Sequence, residues 1–116
     1  MAAIRSFQDF WPYYLTQHRS RRTRYLHYAG ALAAFSILAA AHVLSDWRLI
    51  PVSIAAGYAF SWVGHALYER NRPATFSYPL WSLRADFRML WLWLSGGLDN
   101  ELRKAGVSVA TDSTEH

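Results

Sequence analysis

The residues whose types and spacing could do chemistry are His18, His27, His65 and Glu69. The chain has no cysteine, which removes thiolate zinc sites, iron-sulfur clusters and cysteine nucleophiles together. A metal would have to be held by imidazole, carboxylate or backbone oxygen. Glu69 follows His65 by four residues, so on a helix the two side chains share a face about one turn apart. A nitrogen-rich site with one carboxylate and open positions suits non-haem iron(II), although ligand type alone leaves zinc and copper open.

These residues are far apart in sequence, so the elements between them must bring them together. Tyr28 to Ser45 and Leu49 to Tyr68 contain no Asp, Glu, Lys or Arg, and only Asp46, Trp47 and Arg48 separate them. At about 1.5 Å per residue each segment crosses most of a hydrocarbon core of about 30 Å, and together they read as a transmembrane helical hairpin. Gly30, Gly57 and Gly64 would let its helices approach closely. In such a hairpin His18 and His27 fall before or at the start of the first helix and His65 in the last turn of the second, at one membrane face. His42 belongs to the other end and His116 to the tail. A continuous helix would hold His18 and His27 about 13 Å apart, too far for one ion, so a shared site requires the chain to break between them, at Ser20 or Thr23.

The fold class is therefore all-α, a small integral membrane helical protein flanked by interfacial or re-entrant amphipathic helices. Asp9 is the expected N-cap of a short first helix with Pro12 in its first turn. Phe10 or Trp11, Tyr14 and His18 then share a stripe, with Tyr14 placed to orient His18. After the hairpin, Pro73 and Pro79 interrupt regular structure. Leu83, Phe87, Leu90, Leu94 and Leu98 then recur at helical spacing, with Gly96 and Gly97 as a stop. Residues 1–104 read as one domain, and 105–116, small and polar, as a disordered tail.

Charge and composition narrow the function. Hydrophobic residues make up 53% of the chain and charged residues 17%, well below the roughly one quarter of soluble domains. The net charge of +4 includes the run Arg19, Arg21, Arg22 and Arg24, which lies just before an apolar segment. There it argues for lipid head groups and for membrane orientation rather than for nucleic acid. With most arginines outside the hairpin turn, the positive-inside rule puts both termini in the cytoplasm. The first fourteen residues carry Arg5 and Asp9 without a continuous apolar run, so internal segments are expected to drive insertion. An apolar wall beside a metal suits a lipid substrate, whose carboxylate Arg72, Arg84 or Arg88 could hold. A homodimer would thicken the thin wall that two spans offer an acyl chain.

The pattern Tyr14-x3-His18-x4-Thr23-x3-His27-x2-Gly30, followed by Gly64-His65-x3-Glu69 and Asn71-Arg72-Pro73-Ala74, resembles the family of 2-hydroxy fatty acid dioxygenases. Tyr78-Pro79-Leu80-Trp81-Ser82-Leu83 and Asp86-Phe87 are similar to stretches of its bacterial branch. The likeness runs from about Phe7 to Leu98. Thr23 stands where the family motif carries asparagine, and Leu32 where some members carry proline. The resemblance implies an iron(II)-dependent α-oxidation in which molecular oxygen shortens a 2-hydroxy fatty acid by one carbon and releases carbon dioxide. It implies His18, His27 and His65 as ligands of Fe(2+), and a bacterial inner membrane or the endoplasmic reticulum as the setting. Two other readings fit the residues: a bis-histidine haem electron carrier, and a non-enzymatic hairpin that organises lipid.

Overall fold

The computed structural model describes residues 4–108. Among them every regular element is helical: α1 (Phe7–Thr16), α2 (Arg21–Val43), α3 (Leu49–Gly64), α4 (Pro79–Ser95) and α5 (Leu98–Lys104). A π-helical turn, His65–Glu69, extends α3, and a 3-10 turn, Ala74–Phe76, precedes α4.

Helices α2 and α3 form the expected antiparallel hairpin, and α2, and α3 together with its π-helical extension (Leu49–Glu69), are each long and apolar enough to cross a membrane. Small residues at the contact explain how closely they lie. A Cβ on Gly30 would stand 2.9 Å from the Gly57 carbonyl oxygen, and one on Gly64 would stand 3.1 Å from Thr23 Cγ2. The hairpin keeps large apolar side chains on its outside, among them Leu32, Val43 and Leu44, each more than half exposed.

Across the open end of the hairpin lies a cap built from α1, α4 and α5. Its core is the aromatic face of α1, Phe7, Phe10, Trp11 and Tyr14, packed with Ala85, Met89 and Leu102. Helix α1 begins earlier than expected. Ser6, not Asp9, is the N-cap: its Oγ accepts the Asp9 N–H at 3.1 Å, and the Asp9 carboxylate accepts the Arg5 N–H at 3.3 Å. This serine with an acidic residue three positions on approximates a capping box, which outweighs a lone aspartate. Pro12 consequently falls inside the helix, on its exposed side.

Helix α4 buries a narrow face. Ser82, Ala85 and Met89 face inward, while Leu83, Phe87 and Leu94 remain exposed. Small residues let the cap close tightly, and the larger ones are left for an apolar surround. Gly96 ends α4 in the left-handed region at φ 89°, where a side chain would be strained. Leu98 starts α5 rather than continuing the α4 stripe. Beyond α5, the buried Val107 still packs on the core. The remainder of the expected tail, 109–116, lies outside the described residues.

Candidate metal centre

The break that the two-histidine geometry requires falls at Ser20, the first of the two expected positions, and Thr23 lies inside α2. Ser20 is the N-cap of α2 in extended conformation, and its Oγ accepts the Arg22 N–H at 3.2 Å. Two distant side chains hold this turn. The buried Arg24 guanidinium donates to the carbonyls of His18 and Arg19 at 2.8 and 2.9 Å, and Glu69 Oε2 accepts the Ser20 N–H at 2.6 Å. The chain thus reverses and lays His18, at the end of α1, against His27, one and a half turns into α2.

His65 arrives from the other side of the hairpin. In the π turn its carbonyl accepts the N–H of both Arg70 and Asn71, and Arg70 takes the left-handed conformation at φ 56°. That bend folds Asn71 back over the His65 ring. Such π-helical insertions recur at functional sites because they re-aim one side chain without ending the helix.

The three imidazoles converge. His18 Nε2 lies 3.0 Å from His27 Nε2 and 3.1 Å from His65 Nε2, and the three rings are buried. Each Nδ1 faces an oxygen: Tyr14 O at 2.7 Å for His18, Thr23 O at 3.0 Å for His27 and Asn71 Oδ1 at 2.7 Å for His65. The first two acceptors are backbone carbonyls. The third is fixed because the Asn71 amide donates to Gln17 O and Oε1 at 3.3 and 2.9 Å, leaving Oδ1 for the histidine. Every Nδ1 is therefore the protonated nitrogen, and three Nε2 lone pairs point at one another. Ser61 Oγ, 2.8 Å from His27 Nε2, offers a nearby hydroxyl proton.

Such a cluster fits a cation. Two nitrogens at right angles about an ion, each about 2.1 Å from it, would be about 3.0 Å apart. The ligand atoms of all three residues lie within 4.8 Å of one another. Burial and the neighbouring His27 and His65 rings hold the His18 imidazole far below its ordinary pKa, in the neutral form that binds metal.

Two carboxylates frame the cluster differently. Glu69 points to the Ser20 N–H and contributes to the turn, outside the converging nitrogens. Asp86, from α4, brings Oδ1 to 4.0 Å from His27 Nε2 and accepts a hydrogen bond from the Tyr14 hydroxyl. Burial pushes the Asp86 carboxyl up to about 7, against the opposing effect of the Tyr14 hydroxyl. Tyr14 also stacks on His18, ring centroids 4.1 Å apart. Asp86 and Ser61 were not among the candidate residues read from the sequence. The only signal for Asp86 was its place in the Asp86-Phe87 pair, and for Ser61 its position one helical turn before His65.

His27 of the cluster lies at one end of a largely apolar groove of about 310 Å³ between α2, α3 and α4. Gly30, Ala31, Ala34, Phe35 and Leu38 line it from α2; Ser53, Ile54, Gly57 and Ser61 from α3; Leu83, Asp86, Phe87 and Leu90 from α4. The three arginines expected at a substrate carboxylate stand elsewhere. The Arg72, Arg84 and Arg88 guanidiniums lie over the rings of Phe76, Phe7 and Trp11 at 5.1, 4.1 and 4.7 Å, and none of them lines the groove.

No curated protein and no solved structure matches the chain. A family model does, that of the Mpo1-like proteins, described as 2-hydroxy-palmitic acid dioxygenase Mpo1-like, over residues 4–98. That span holds all three histidines, Asn71, Tyr14 and Asp86, and the chain belongs to the Mpo1-like family.

Proposed function

We propose that this protein is an integral membrane dioxygenase that binds iron(II) through His18, His27 and His65 and oxidises a 2-hydroxy fatty acid to the acid one carbon shorter. The observation that carries this reading is the convergence of three buried Nε2 atoms, each with its Nδ1 committed to an oxygen, at the end of an apolar groove. Iron(II) bound there would supply the redox couple and Lewis acidity for the reaction of substrate with oxygen. A 2-hydroxy acid and one O2 give the shortened acid, carbon dioxide and water, with four electrons leaving the substrate and four entering oxygen. The stoichiometry needs no reductase and no 2-oxo acid co-substrate.

The chain's own residues do the positioning. Tyr14 O, Thr23 O and Asn71 Oδ1 fix the tautomer and tilt of the three rings, as outer partners of metal-bound histidines do. Asp86 and Ser61 are the polar groups where the groove meets the imidazoles, within reach of a substrate head group. The groove walls keep water from the reacting carbons. The hairpin's exposed apolar girdle fits a lipid surround, with the arginine-rich ends of α2 and α3 at the cytoplasmic face. Imidazole nitrogens 3.0 Å apart leave no slot for a porphyrin between them, which favours non-haem iron over the haem alternative.

The test is metal analysis of detergent-purified protein after anaerobic iron loading, paired with oxygen uptake on adding 2-hydroxy palmitic acid. Stoichiometric iron with substrate-dependent uptake is expected, and His65→Ala should lose both while the hairpin stays folded. Full activity of His65→Ala, or a protein that binds no iron, would overturn the proposal.

A further inference from the structure

The groove has a length as well as a chemistry. Its α2 wall is one stripe, Gly30, Ala31, Ala34, Phe35 and Leu38, beginning beside His27, and its α3 wall runs antiparallel from Ser61 to Ser53 and Ile54. From His27 to Leu38 the helix rises about 16 Å. An extended saturated chain with C–C bonds of about 1.5 Å at tetrahedral angles covers that distance with roughly a dozen carbons. A volume of about 310 Å³ lies at the lower end of the range of ligand pockets, roughly 300–1,000 Å³.

The lining is graded along this length. Near the imidazoles the α2–α3 contact is made by small residues, Gly30, Ala31, Ala34 and Gly57, which leave a channel above them. Midway, Phe35 of α2 stacks on Phe87 of α4 with centroids 5.8 Å apart, bridging two of the three walls. At the far end Leu38 and Ile54 come in from opposite helices. Ser61, Asp86 and His27 meet the groove at the other end, while the Ser53 hydroxyl near the far end donates to the Ile50 carbonyl at 2.7 Å.

We propose that this groove measures the acyl tail of a single-chain fatty acid, with the small Ala34 keeping the channel open and Leu38 and Ile54 marking its end. The inference rests on the dioxygenase reading for the identity of the head group, and adds to it the residues that set chain length. The occupant follows from the grading, since a largely apolar channel that ends beside His27 and the Asp86 carboxyl group matches a long tail with one compact polar end. A leucine at position 34 would fill the channel about 10 Å from His27 and leave the distal third unreachable.

The experiment is photolabelling of the iron-loaded protein with 2-hydroxy fatty acids carrying a diazirine on the terminal carbon, in palmitic and decanoic lengths, read out by peptide mapping. The long probe is expected to label the segments around Leu38 and Ile54, and the short one those around Ala34 and Gly57. Ala34→Leu should lose the distal labelling by the long probe, at least tenfold, whereas Leu32→Ala, on the outer surface, should keep the wild-type pattern. Labelling spread over outward residues such as Leu32, Val43 and Val63, or a pattern that does not move with probe length, would overturn the proposal. Length-dependent labelling in a protein that takes up no oxygen would sustain it and instead refute the dioxygenase activity.

Discussion

Asn71 Oδ1 lies 2.7 Å from His65 Nδ1, and the same amide donates to Gln17 at the end of α1. One side chain therefore fixes the tautomer of the histidine brought by α3 and ties it to the segment that brings His18. Outer partners of this kind typically contribute about 10- to 100-fold in metal affinity. Asn71→Ala should weaken iron binding by about that factor in a chelator competition. Asn71→Asp, which keeps an acceptor facing the ring, should recover most of it.

Glu69 should behave differently, because its carboxylate accepts the Ser20 N–H at 2.6 Å and stands outside the three-histidine group. This is the work of a capping-box glutamate, supplied here from the far helix of the hairpin. Removing it takes away this hydrogen bond at the start of α2. Glu69→Ala should lower the unfolding free energy by about 1–2 kcal/mol while iron affinity changes little. Thermal unfolding in detergent and iron titration of the same sample separate the two effects. A loss of iron at unchanged stability would make Glu69 part of the metal site.

The hairpin and the gathering of three histidines at its open end were legible because both follow from one segment at a time. Runs without charge gave α2 and α3, and the distance between His18 and His27 along a straight helix demanded the break found at Ser20. Asp86 was not legible for the opposite reason. It reaches the site through the packing of α4 against α2, and nothing in the spacing of α4 says that Ser82, Ala85 and Met89 face inward while the leucines do not. Asn71 was hidden by the left-handed turn at Arg70, which carries the chain back over His65 where a helical reading would carry it away.

The close approach of α2 and α3 is unequal at its two central glycines. A Cβ at Gly30 would meet the Gly57 carbonyl oxygen at 2.9 Å and Phe60 Cβ at 3.0 Å, whereas one at Gly57 would meet Ala34 Cβ at 3.6 Å. Gly30→Ala must push backbone apart and should cost about 1–3 kcal/mol, as overpacking does. Gly57→Ala makes an ordinary contact and gains helix propensity of up to about 1 kcal/mol, so it should be neutral or stabilising. Thermal unfolding of the two variants in one detergent tests the contrast.

Glu101 links α5 to α1 by accepting the Trp11 indole N–H at 2.9 Å. That bond, with Lys104 and Arg88 nearby, holds its carboxyl below the ordinary 4.5. A carboxyl depressed in the folded state adds stability that is fully present above the unfolded value and is lost as pH falls through the folded one. Unfolding followed below pH 4.5 should therefore show an acid limb that flattens in Glu101→Gln. An unchanged limb would assign the acid sensitivity to other carboxylates.

Tyr14 joins the cap to the metal site at three points: its carbonyl accepts from His18 Nδ1, its ring stacks on His18 and its hydroxyl donates to Asp86. Tyr14→Phe removes only the third. Iron should stay bound, because the ring and carbonyl that orient His18 are unchanged. Asp86 loses its donor, so stability should fall by about 1–3 kcal/mol, the cost of a buried hydrogen bond to a carboxyl. Turnover of a 2-hydroxy acid should fall by roughly tenfold through kcat, since Asp86 is no longer held where the groove meets the imidazoles. Tyr14→Ala, which also removes the ring under His18, should lose iron as well. If the phenylalanine variant released iron to the same extent, the hydroxyl would be acting on the histidine itself, and the separate role given to Asp86 would fail.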